Sequence, residues 1–103
     1  MSKETPRTFK IPTSQGDREI LINNTSLYHF EEVHGRSAIH VFMAGDLGAR
    51  AINHICWAGL LHEDENIRPA DVLKIIRSQD HKKISGVIVK AIQEAYQMEG
   101  ENE

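Results

Sequence analysis

The stretch ARAINHICWAGLL, residues 49–61, carries the clearest helical pattern in the chain. The residues that share one face of it are Ile52, Ile55, Cys56, Gly59 and Leu60. They recur at i, i+3, i+4, i+7 and i+8, the spacing that places side chains on one side of an α-helix. The stretch therefore predicts an amphipathic helix that buries this face against the rest of the domain.

Two further helices are predicted after this stretch. Pro69 suits the first position of a helix, and Asp71 falls in the first turn, where a carboxylate is favourable. The core face of this helix is predicted to be Val72, Ile75 and Ile76. Ser78 or Asp80 then caps a last helix of about four turns. Its helically spaced apolar residues are Ile84, Val87, Ile88, Ala91, Ile92 and Ala95.

A β-hairpin is predicted before the helices. Residues 9–12 and 18–22 each contain a short apolar run, and they flank the turn-forming residues 14–17. Pro12 cannot donate a hydrogen bond to a strand ladder, which suits a position at a sheet edge.

Residues 23–44 are predicted to form two short helices. Residues 23–26, NNTS, supply several possible N-caps for the first, with Thr25 or Ser26 taken as the cap, and Gly35 ends it. Residues 37–44 are apolar and ambiguous between a helix and a strand, and their neighbours favour a helix. The predicted fold is mostly α: a small helical domain of about four to five helices with an N-terminal β-hairpin.

Length and charge limit the class of protein. The 103 residues suit one domain, divided into a flexible segment over residues 1–8, a helical domain over 9–98 and an acidic disordered tail over 99–103. The formal charge of −3 counts against a general nucleic-acid binder. The single Cys56 fits a reducing compartment, and no apolar run reaches the ~18 residues that a membrane span needs. We therefore expect a cytoplasmic domain.

No pattern in the chain indicates catalysis, a cofactor or a metal site. The six His include no pair at the i, i+4 spacing of a helical zinc site, and there is one Cys. Cys56 lies on the apolar face of its helix, where a thiol is expected to be buried and inert. There is no Gly-x-Ser-x-Gly elbow and no phosphate-binding glycine loop. We predict that the protein is not an enzyme.

A second interpretation is a small helix-turn-helix-like DNA-binding regulator. Residues 69–95 can be interpreted as two helices joined by a short turn. The basic residues around that turn are Lys74, Arg77, Lys82 and Lys83. The exposed face that follows carries Glu94 and Glu99, which would repel phosphate. Nucleic-acid binding is therefore the less favoured alternative.

Association with another protein is the remaining physical signal. Trp57 falls beside the apolar face of its helix, and the small residues Ala58 and Gly59 follow it. Aromatic residues are enriched at interface cores, and small residues allow another backbone to approach. Trp57 could equally pack within its own chain, and the two roles are compatible.

Two stretches resemble a known family. Ser26–Gly35, SLYHFEEVHG, resembles an early helix that ends in an acidic pair and a glycine, and Cys56–Asp64, CWAGLLHED, resembles a Trp-Ala-Gly-Leu-x-His-Glu-Asp segment. With a hairpin before them and a helix after them, they are similar to the tail assembly chaperones of long-tailed bacteriophages and prophages. The resemblance covers residues 9–97. One departure is Arg68, where a Thr or Ser cap is expected.

The resemblance implies a non-catalytic assembly factor. Such a protein binds the helical tape-measure protein in the bacterial host cytoplasm, keeps it soluble, yields to tail-tube subunits and is absent from the mature virion. It also implies a homo-oligomer. The edge of the hairpin offers a surface for pairing with another chain, since Pro12 is the only residue there that disfavours such pairing. A client helix could dock between helices through apolar anchors. The candidate partner-binding residues, all apolar and outside the main core faces, are Phe42, Trp57, Leu61 and Val89.

Overall fold

The computed structural model describes the backbone of residues 8–45 and 48–100, and side chains up to Gln97. Within these residues a two-stranded antiparallel sheet precedes five α-helices, so the prediction of a mostly helical domain with an N-terminal hairpin is confirmed. The strands are β1 (Thr8–Ile11) and β2 (Arg18–Leu21). The helices are α1 (Asn24–His34), α2 (Ala38–Met43), α3 (Ala49–Leu60), α4 (Pro69–Leu73) and α5 (His81–Gly100).

The hairpin forms where it was predicted: β1 lies one residue earlier than predicted, and β2 begins at the predicted residue and ends one residue earlier. Phe9 pairs with Ile20 and Ile11 with Arg18. The turn between the strands is closed by Gly16, whose φ of 98° favours glycine, and by the Thr13 hydroxyl, which donates to the Gly16 carbonyl. The backbone N–H of Ser14 also donates to the Ile75 carbonyl at 2.8 Å, which ties the turn to the segment after α4.

The cap of α1 differs from the prediction. Asn23, not Thr25 or Ser26, occupies the N-cap: its Oδ1 accepts from the Ser26 N–H at 3.0 Å, while the Ser26 hydroxyl accepts from the Asn23 N–H at 2.7 Å. This reciprocal pair satisfies two backbone donors at once, which explains why the helix begins two residues early. Gly35 ends α1 with φ 88°, as predicted.

The predicted apolar face of α3 is buried throughout and lies at the centre of the fold. Helix α3 packs against α1, β2, α4 and α5. Gly59 makes the contact with β2 possible, because a Cβ at this position would lie 2.7 Å from the Ile20 Cβ. The sheet and the helix approach each other this closely only through a glycine.

Helix α4 starts at Pro69, as predicted, and Arg68 does not weaken its start. The Arg68 N–H donates to Asp71 Oδ2 at 2.9 Å, and the Arg68 guanidinium donates to both oxygens of the same carboxylate. Hydrogen bonding from the Arg68 side chain holds the pKa of Asp71 below its usual value. Asn53 of α3 fixes α4 in place, because its Nδ2 donates to the Pro69 carbonyl at 2.9 Å.

The last helix is longer than predicted. A single 3-10 turn, Ser78–Asp80, leads directly into α5, and Asp80 accepts from Arg77 Nε at 2.9 Å. The helix continues to Gly100, two residues beyond the end of the predicted helical domain at residue 98. Residues 101–103 and 1–7 of the two predicted mobile termini lie outside the described residues, whereas Thr8 belongs to β1.

Among the described residues, none of the helices combines the length and the apolar character that crossing a bilayer requires.

Candidate functional site

An open groove lies where the start of α1, the end of β2 and the end of α3 meet. Its lining includes Leu21, Ser26, His29, Trp57, Leu61 and Glu65, and its volume is about 540 Å³. We call it the α1–α3 groove. Its exposed lining is more apolar than polar, and its size lies within the ~300–1,000 Å³ range of binding clefts.

The groove exists because α1 and α3 pack antiparallel. His29 in the middle of α1 meets Trp57 near the end of α3, whereas His34 at the end of α1 meets His54 in the middle of α3. The buried faces of the two helices close the space between them along most of their length. At one end β2 turns into α1 through the Asn23 cap, and that corner leaves the groove open.

Trp57 forms one wall of the groove and is held there by two contacts. Its Nε1 donates to the Ile67 carbonyl at 2.8 Å, and its ring meets the His29 imidazole edge-on with centroids 6.3 Å apart. Both anticipated roles of Trp57 are therefore structurally possible together: the indole packs within its own chain while one part of it remains at the surface of the groove. The hydrogen bond fixes the orientation of the ring before any partner arrives.

The loop after α3 forms the rim of the groove. His62 Nε2 donates to the Glu19 carbonyl at 3.0 Å, which binds this loop to β2. Glu63 accepts from the Arg18 guanidinium at 3.0 Å and is thereby neutralised. Glu65 lines the groove and is exposed. The rim of the groove thus presents one carboxylate of its lining, that of Glu65, to solvent.

Two of the four predicted partner-binding residues meet in this groove. Trp57 and Leu61 line it, and both are half-buried. Phe42 is different: it is 3% exposed and packs against Phe30 with ring centroids 5.7 Å apart, so its placement outside the core was wrong. Helix α2 is short and turns this side chain inward. Val89 is half-buried against the core on α5 and does not line the groove.

A second groove of about 560 Å³ lies between α2 and α5. Ile39 and Met43 of α2 form one side and remain 41% and 48% exposed, and Ile92 and Tyr96 lie on the other side. None of the predicted partner-binding residues lines it. Sequence reasoning missed this surface, since the ambiguous segment 37–44 gave no helical register from which an exposed face could be assigned.

Sequence reasoning also missed a pair of histidines between α1 and α3. His34 Nδ1 and His54 Nδ1 lie 3.0 Å apart, and the Arg50 guanidinium lies 3.4 Å from His34 Nδ1. Because arginine only donates, His34 Nδ1 accepts and His54 Nδ1–H donates. Burial, the positive charge of Arg50 and His34 lower the pKa of His54. The two residues are 20 apart in sequence, so no local spacing could reveal the contact.

The remaining reactive side chains are arranged as structural groups. Burial raises the pKa of the Cys56 thiol to about 12, as expected of a core cysteine. Across residues 8–45 and 48–100, no three His, Cys, Asp or Glu side chains converge as a metal site would require. Two of the arginines near α4 are engaged with carboxylates, Arg68 with Asp71 and Arg77 with Asp80.

Comparison of the chain with protein-family models, with curated proteins and with solved structures gave no match.

Proposed function

We propose that this protein is a phage or prophage tail assembly chaperone, which binds the tape-measure protein, keeps it soluble and helps to recruit tail-tube subunits. The observation that carries the proposal is that both family-like stretches contribute residues to the lining of the α1–α3 groove. The first family-like stretch contributes Ser26 and His29, and the second contributes Trp57, Ala58 and Leu61. Two stretches separated by twenty residues of sequence thus build one surface, which supports a shared binding role for them.

The physical role of the groove follows from its shape and lining. A long helical client exposes apolar stripes that would otherwise aggregate, and a partner that covers them lowers this hazard. An amphipathic helix places apolar side chains at i, i+3, i+4 and i+7, and such side chains can enter a cleft between two helices. Trp57 and Leu61 are the contacts we assign to these anchors. The role requires no catalytic group, cofactor or metal.

Co-expression with the long helical protein encoded next to this gene tests the proposal. The complex is isolated by size-exclusion chromatography with light scattering. Leu61→Ser is expected to reduce the co-eluting client, because Leu61 lines the groove, whereas Leu73→Ser is the matched control, because Leu73 is 65% exposed on α4 and lies outside the groove. A client that remains insoluble with the unaltered protein, or two variants that behave alike, would contradict the proposal.

The same measurement tests self-association. We propose that the free protein forms a homo-oligomer in the host cytoplasm, with the hairpin edge as one pairing surface. Light scattering of the free chain is expected to give a multiple of the protomer mass, and a protomer mass at high concentration would exclude it.

The DNA-binding alternative has a separate test. It requires basic residues that are available to phosphate, yet Arg77, one of the basic residues around the turn, is engaged with Asp80. It also requires two helices joined by the turn, and the first of them, α4, contains only five residues. A DNA-binding regulator would bind duplex DNA with an affinity that falls steeply as salt is raised. We expect no such binding from this protein.

A further inference from the structure

Two carboxylates without a Lys or Arg partner among the described residues lie in or beside the α1–α3 groove. Glu65 lines it from the loop after α3, and Glu32 lies on α1 with its Oε1 3.6 Å from Nδ1 of the groove residue His29. Both are exposed, and neither forms an ion pair with Lys or Arg among the described residues. Glu63, by contrast, is neutralised by Arg18. The acidic groups at the groove are therefore Glu65, which lines it, and Glu32, which contacts the lining residue His29.

The lining itself contains no permanent cation to compensate them. None of its residues is Lys or Arg, and the second histidine in it, His62, uses its Nε2–H to bind the Glu19 carbonyl. A partner with carboxylates beside its apolar anchors would meet like charges at Glu65 and Glu32. A partner with Lys or Arg in those positions would meet opposite charges, and its long aliphatic stems would cover the apolar rim.

We infer that the α1–α3 groove selects a cationic amphipathic helix, in which Lys or Arg residues flank the apolar anchors. This inference rests on the proposed function, because it names the chemistry of the client segment for the same groove. Trp57 and Leu61 contact the apolar side chains, while Glu32 and Glu65 contact the flanking cations. Apolar burial holds the segment, and the two carboxylates determine which segments are accepted.

A pair of synthetic helices tests the inference directly. Both are about 20 residues long, enough for a stable helix, and carry Leu at i, i+3, i+4 and i+7 with no aromatic residue. One has Lys and Gln at the other positions, and the second has Glu and Gln. Binding is followed by the fluorescence of Trp57, the single tryptophan of the chain. The cationic helix is expected to bind at least about tenfold more tightly, with the preference reduced at high salt.

Matched variants separate groove charge from net charge. Glu32→Gln with Glu65→Gln is expected to weaken the cationic helix about three- to tenfold, since each exposed carboxylate contributes modestly. Asp17→Asn with Glu31→Gln changes net charge equally at exposed residues that are not in the groove lining and, unlike Glu32, form no ion pair with a lining residue in the described part of the chain; it is expected to leave the affinity unchanged. Circular dichroism verifies that both variants are folded.

Three results would overturn the inference: equal affinity of the two helices, no binding of either, or equal effects of the two double variants. None of them refutes the proposed function, which is decided by co-expression with the tape-measure protein. A client that co-elutes with the unaltered protein and equally with Glu32→Gln/Glu65→Gln would uphold the chaperone role and refute the charge selection.

Discussion

Gly59 offers the sharpest test of how the hairpin and α3 are joined. The substitution Gly59→Ala adds one methyl group at the contact between α3 and β2. That Cβ would lie 2.7 Å from Ile20 Cβ, 3.2 Å from Ile20 Cγ2 and 3.3 Å from Ile22 Cδ1. Carbon atoms prefer a separation of ~3.5–4.0 Å, and Ile20 Cβ is attached to the backbone, so no change of rotamer relieves the closest contact. The strand and the helix must move apart.

Two opposing contributions set the expected change in the free energy of unfolding of Gly59→Ala. Replacing Gly by Ala inside a helix stabilises by about 1 kcal/mol. Overpacking a core costs ~1–3 kcal/mol, and an approach about 1 Å too close to a backbone-attached atom belongs at the upper end of that range. The net expectation is a loss of about 2 kcal/mol in the free energy of unfolding. Because Leu21 and Ala58 line the α1–α3 groove on either side of this contact, client binding is expected to weaken as well.

Gly86→Ala is the matched control. Gly86 is exposed within α5, and a Cβ there would meet no atom within 4 Å. The same chemical change should therefore stabilise by about 1 kcal/mol. Urea unfolding followed by circular dichroism measures both variants. If Gly59→Ala were as stable as the unaltered protein, the close approach of β2 to α3 would not exist as described.

Three further predictions concern single contacts. The folded-state pKa of His54 lies below the ~6.5 of the unfolded chain, so just below pH ~6.5 the unfolded state binds more protons and the free energy of unfolding falls as the pH is lowered. His54→Gln is expected to flatten this pH dependence in urea titrations at several pH values. An unchanged slope would refute this. Trp57→Phe should lower the free energy of unfolding by about 1 kcal/mol, because the Ile67 carbonyl loses its hydrogen-bond donor; urea unfolding followed by circular dichroism measures this. Asn23→Ala should lower the melting temperature through a cap loss of about 1 kcal/mol, with Asn24→Ala as the neutral control; equal effects would contradict the cap.

The helices were predictable where one local signal decided the outcome. The periodicity of residues 49–61, Pro69 at the start of α4 and Gly35 at the end of α1 each act within a turn or two of the chain. The cap of α1 was assigned too late because Asn23, Thr25 and Ser26 all suit that position, and only the geometry of the β2–α1 corner selects among them.

The site was only half predictable, because its residues depend on which helices pack together. Trp57 and Leu61 project from one helix end and were found from their position beside the apolar face. Phe42 was misplaced, since the orientation of the short α2 is set by its neighbours and not by its own pattern. Asn53, although polar, is buried against the start of α4, and its Oδ1 accepts no hydrogen bond from the described residues.

Hydrogen exchange of the protein with and without the proposed tape-measure client would locate the binding surface. If the α1–α3 groove holds the client, exchange slows in the loop over residues 61–68 and at the start of α1, while α2 exchanges as in the free chain. Protection confined to α2 and the second half of α5, with the loop after α3 unchanged, would contradict the assignment and place the client in the other groove.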